Sequence, residues 1–103
     1  MAEAQTVRTL EDIRELRPQI MALARQCRAR EVSVFGSIVR GELHADSDID
    51  FLVDFDEERY TLLDIASMIN GLEDLLRCKV DVVPRSALRK ELKPYVFKEA
   101  QPL

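Results

Sequence analysis

Positive charge is in short supply in this 103-residue sequence: 15 Lys and Arg stand against 19 Asp and Glu, for a net charge of −4. Proteins that grip long nucleic acids draw most of their affinity from Lys and Arg neutralising phosphates, so no direct binding of a long nucleic acid is expected. A mononucleotide held through metal ions stays open, because acidic residues then help. No apolar run approaches the length of a bilayer span, so no membrane association is expected. The opening MAEAQTVRTLED lacks the basic-then-apolar layout of a signal peptide, and the chain reads as cytoplasmic. Cysteine is scarce too: Cys27 and Cys78 lie far apart in no metal-ligand spacing, which predicts free thiols rather than a disulfide. The only histidine, His44, falls in a polar stretch and reads as an exposed loop residue. Repeats, low-complexity segments and long linkers are missing, and the length suits one domain over 1–103, with 1–8 as a flexible tail. What is present, 47% apolar and 33% charged residues, is the balance of a folded globular chain.

The apolar periodicity predicts the elements. Thr9 can cap a helix with Glu11 and Asp12 in its first turn and Leu10, Ile13, Leu16, Ile20, Leu23, Ala24 and Cys27 on one face. Pro18 predicts a kink or a break near Arg17. Val32 to Phe35 reads as a strand stopped by Gly36, followed by one helical turn, Ser37 to Arg40, closed at Gly41. Asp48 to Phe55 is a second strand, with Ile49, Phe51, Val53 and Phe55 on one face and Asp48, Asp50 and Asp54 on the other. Leu62, Leu63, Ile65, Ala66, Ile69, Leu72, Leu75 and Leu76 predict a long amphipathic helix with Gly71 as a weak point. Lys79 to Val83 is a third strand stopped by Pro84. Ser86 then caps a last helix through Leu88 and Leu92, with a break at Pro94. The order implies an α/β (α+β mixed) fold in which helices pack on a small mixed sheet.

The chemistry concentrates in VFGSIVRGELHADSDIDFLVD, residues 34 to 54. Asp48 and Asp50, two apart on a strand, project to one face and can bracket a divalent cation. Asp81 can join them if the third strand lies beside the second. Three carboxylates on one face oppose each other's ionisation unless a cation is shared. Mg²⁺, commonly held by one or two carboxylates plus substrate phosphates, suits that role and points to a nucleoside triphosphate. Gly36 and Ser37 supply the complementary half, because glycine lets backbone approach a phosphate while turn N–H groups and a hydroxyl bind its oxygens. The pattern G-S-x10-D-x-D would arise by chance in roughly one such chain in a thousand. Arg40 can reach phosphate or close an ion pair at the helix end. Ser47 can contact ligand or hydrogen-bond within the turn before the strand.

FGSIVRGELHADSDIDFLVDF, followed by VDVV with Asp81, resembles the minimal nucleotidyltransferases of the DNA polymerase beta superfamily. The resemblance includes Arg40–Gly41 after the turn and Ser47 before the first aspartate, and it extends over most of the chain. It implies a polymerase-beta-like nucleotidyltransferase fold and an Mg-ATP site. Gly36 and Ser37 would hold the triphosphate, with Arg40 and Ser47 as further nucleotide contacts. Asp48, Asp50 and Asp81 would be catalytic and ligate two Mg²⁺, Asp81 serving as second-metal ligand or proton acceptor. Stand-alone members of this kind are commonly antitoxins that transfer AMP from ATP to a tyrosine of a HEPN-domain ribonuclease toxin, and such a toxin is the partner the resemblance implies. The chain has no room for a separate acceptor domain, so the acceptor comes from a partner or the pocket forms in a homo-oligomer. A non-catalytic module acting by occlusion, or transfer to a small molecule, are the alternative readings.

Overall fold

A computed structural model describes residues 7–44 and 46–103. Thr9 accepts a hydrogen bond on Oγ1 from the Asp12 N–H at 3.1 Å, and Asp12 accepts in return from the Thr9 N–H at 3.1 Å. This reciprocal cap starts α1 (Leu10–Glu15). The break expected near Arg17 is present: Leu16 ends α1, and α2 (Arg17–Gln26) begins with Pro18 in its first turn, where the missing N–H costs nothing. The predicted tail lies mostly outside the described residues, but Val7 corrects it. Its side chain is buried in the core, and its N–H reaches the Leu76 carbonyl at 3.5 Å.

The strands are β1 (Ala29–Phe35), β2 (Ile49–Phe55), β3 (Val80–Pro84) and β4 (Gln101–Pro102), in sheet order β3-β2-β1-β4. β1 runs antiparallel to β2 and β4, and β2 runs parallel to β3, so the sheet is mixed as expected. The parallel pair requires a crossover, supplied by α4 (Leu62–Leu76). Val32, Val34, Ile49, Phe51, Val53, Val80 and Val82 turn to one face and are buried with Ile13, Ile20, Met68, Leu72 and Leu76 of the helices. Alternation therefore delivers Asp50 and Asp81 to the opposite face. Cys27 is buried and Cys78 half-buried, both as free thiols. Among the described residues no helix is long and apolar enough to cross a membrane.

Three expectations change. Leu62 and Leu63 do not join the buried face of α4; they stand 82% and 78% exposed, while Met68 takes the buried position one turn further on. The last helix does not start at Ser86, which lies within a short 3-10 turn (Arg85–Ala87). α5 (Lys93–Glu99) carries Pro94 in its first turn instead of breaking there, for the same first-turn reason as Pro18. The edge strand β4 had no sequence signal, being two residues long and containing proline.

Candidate active site

β1 delivers the chain to Gly36, whose φ of 82° and ψ of −151° lie outside the regions open to L-residues. A Cβ at this position would collide with the Asp50 carboxylate. Conformation and space thus both demand glycine, and the backbone at this turn comes directly against the Asp50 carboxylate. The Gly36 carbonyl accepts from the Val39 and Arg40 N–H groups at 3.1 and 3.3 Å, starting α3 (Ser37–Arg40), and left-handed Gly41 closes it. Ser37 is the first residue of this turn, where helix N–H groups lack intrahelical acceptors.

Asp50 pairs with Phe35 across β1–β2 and with Asp81 across β2–β3. The two aspartates are direct neighbours in register on one sheet face, and Asp48 precedes them in the chain entering β2. Burial, then the charges of Asp81 and Asp48, push the Asp50 carboxyl up to about 6, with Arg40 opposing and Glu99 adding to the rise. Asp48 and Asp81 are exposed. Among the described residues no three His, Cys, Asp or Glu side chains converge closely enough to hold an ion by themselves. A crowded, half-buried carboxylate beside two more still fits Mg²⁺, which accepts few protein ligands and completes its shell with water and phosphate oxygens.

Arg40 is engaged by two carboxylates: its Nε donates to Glu42 at 2.9 Å and its Nη1 to Glu99 at 2.8 Å. Both hydrogen bonds raise the guanidinium pKa. The helix-end ion pair is thus the role the structure supports for Arg40. The Ser47 hydroxyl accepts from the His44 N–H at 3.1 Å, holding the turn before β2, and His44 itself is exposed. Arg85 lies over the Phe97 ring at 4.7 Å. A cavity of about 550 Å³ opens beside this turn, with Leu43, His44, Ser47, Arg77, Cys78 and Lys79 in its lining. Its lining includes none of the three aspartates and not Gly36.

The family model for the nucleotidyltransferase domain matches residues 13–103. This chain belongs to that family. As a nucleotidyltransferase it is 47% identical over 70 residues to the protein adenylyltransferase MntA of Thermococcus cleftensis, covering 68% of this chain and 70% of the relative. A solved structure assigned to the minimal nucleotidyltransferases superposes with a TM-score of 0.81 at 44% identity, over 92% of this chain and 96% of that one. A toxin–antitoxin structure with AMP-PNP shares the fold, with a TM-score of 0.69 at 23% identity over 82% and 69% of the two chains. So does a tri-AMPylated Shewanella oneidensis HEPN toxin in complex with MNT antitoxin, with a TM-score of 0.64 at 19% identity over 86% and 69%. The polymerase-beta-like expectation for the fold is met in this nucleotidyltransferase. The site residue that sequence reasoning missed is Glu99, since nothing in the local sequence KEAQ ties it to a turn some sixty residues earlier.

Proposed function

We propose that this nucleotidyltransferase is a cytoplasmic antitoxin that transfers AMP from Mg-ATP to a tyrosine of a HEPN-type ribonuclease toxin. The observation that carries the reading is the in-register Asp50–Asp81 pair placed directly beside the Gly36 turn. In the transfer, the tyrosine oxygen attacks the α-phosphorus in line, the bond to the bridging β-phosphate oxygen breaks, and pyrophosphate leaves. Asp81, exposed on the open face, takes the proton of the attacking hydroxyl. Gly36 and Ser37 hold the triphosphate so that the α-phosphorus faces the carboxylates. Asp48, Asp50 and Asp81 would hold two Mg²⁺, which supply charge stabilisation at the phosphates. AMP as the transferred group is supported by the adenylyltransferase relative and by the AMPylated toxin among the fold neighbours.

The test is incubation of the pure protein with α-labelled ATP, Mg²⁺ and the toxin encoded beside it. Label on the toxin, lost with Asp48→Asn or Asp50→Asn and with the acceptor Tyr→Phe, is expected; an unlabelled toxin that nevertheless binds would sink the transfer reading. Exposed Leu62, Leu63, Leu92 and Tyr95 favour a second reading, neutralisation by occlusion alone. Protection of cells by the Asp48→Ala, Asp50→Ala double variant would select it.

A further inference from the structure

The Glu99 carboxylate spans the turn on which the proposed nucleotide site rests. Its Oε1 accepts from the Gly36 N–H at 2.6 Å, and its Oε2 accepts from Arg40 Nη1 at 2.8 Å. One side chain therefore ties the first residue of the turn to the last residue of α3. The ladder explains the first bond. β1 and β4 pair through Ser33↔Pro102 and Val34↔Gln101, and two residues further along each strand stand Gly36 and Glu99. The backbone of Glu99 is already the end of α5, so its side chain supplies the acceptor that the next rung of the ladder would have supplied. Glu99 is half-buried, which strengthens both charge-assisted bonds.

The tail that presents Glu99 is anchored by contacts far from the turn. Arg14 donates to the Pro102 carbonyl at 3.1 Å, Arg17 to the Leu103 carbonyl at 2.9 Å, and the Leu103 N–H to the Val32 carbonyl at 3.2 Å. These fix where Glu99 stands without using its carboxylate, so its two bonds are free to act on the turn. Gly36 has no side chain to hold its place, and its backbone must remain against Asp50. A turn of this kind keeps its geometry only when neighbouring groups over-determine it.

We infer that Glu99 is a positioning residue for nucleotide binding: it sets the Gly36 N–H and the Arg40 guanidinium, and through them the phosphate-binding turn, while touching no substrate. The inference rests on the nucleotide-site reading above. The test is titration of the full-length protein with AMP-PNP and Mg²⁺, alongside thermal melts. Glu99→Ala is expected to raise Kd about tenfold, the scale of losing hydrogen bonds to a charged group. Glu99→Gln, whose amide oxygen can still accept from Gly36, is expected to fall between Ala and wild type. Asp64→Ala, which strips the α4 cap and the Arg28 pair far from the turn, is expected to lower Tm with Kd unchanged. A double-mutant cycle with Arg40→Ala is expected to be non-additive, because the two residues share one bond. A Kd for Glu99→Ala within twofold of wild type would overturn the positioning role, as would an Asp64→Ala variant that weakens binding as much as Glu99→Ala does. Absence of AMP-PNP binding by the wild-type protein would overturn the nucleotide-site reading itself, a result separable from the other two.

Discussion

Gly36 and Asp50 constrain one another across β1 and β2. Any side chain at position 36 meets the Asp50 carboxylate and must also adopt a positive φ. Gly36→Ala is therefore expected to cost on the order of 2 kcal/mol of stability and to abolish nucleotide binding, checked by denaturant unfolding and AMP-PNP titration. Asp50 is held at a disadvantage in the folded protein. Its carboxyl, raised from 3.8 to about 6, keeps its proton in the folded state at pH values where the unfolded chain has lost it. Metal-free stability from this group is thus highest below the ordinary carboxylate range and falls as pH rises toward 6. Asp50→Asn removes the crowded charge. Melts in EDTA should show a higher Tm than wild type at neutral pH, with the gain vanishing in acid, while transfer activity is lost. An equal or lower Tm at neutral pH would show that carboxylate crowding does not limit the fold.

At the scale of elements, the start of α1 was legible because capping is local. Thr9 and Asp12 lie three apart and bond reciprocally, as their spacing suggests. Asp64 does more than start α4. It accepts from the Thr61 N–H at 2.9 Å and pairs with Arg28 at 3.3 Å while its side chain is only 12% exposed. Asp64→Ala should destabilise by about 2 kcal/mol, by stripping a cap and a part-buried ion pair together, and should leave AMP-PNP affinity unchanged. Arg28 lies just past the end of α2, and its partner Asp64 stands on another element 36 residues away, which no local stretch of sequence announces. Pro18 and Pro94 show the limit of local reading from the other side. Proline breaks an existing helix or begins a new one, and only the preceding turn decides which. Leu62 and Leu63 fail for a related reason: apolar periodicity marks which residues could be buried, while the end of the packed face decides which are.

Across the whole molecule, negative charge predominates, yet Arg25, Arg28, Arg30 and Arg59 gather around one groove. Arg28 is paired with Asp64, Arg30 lies 3.9 Å from Asp54, and Asp56 sits within the groove, so the cluster is largely answered from within. Mobility shifts with long duplex or single-stranded RNA at physiological salt are expected to show no specific complex. A retarded band whose affinity falls steeply with salt would contradict this and mark the groove as a phosphate site.

Residues 34 to 54 by themselves pointed to a metal-nucleotide site, with the reaction class implied by their resemblance to the minimal nucleotidyltransferases, because strand alternation sets which aspartates share a face and a glycine between a strand and a helical turn announces a close approach. Both are short-range properties of the backbone. Only the tertiary structure decided that β3 lies parallel to β2 with Asp81 in register with Asp50, and that a two-residue edge strand carries Glu99 to the turn. Those placements depend on which strands meet across a crossover helix and on where the chain end docks, energies shared among many distant side chains and written in no single stretch of sequence.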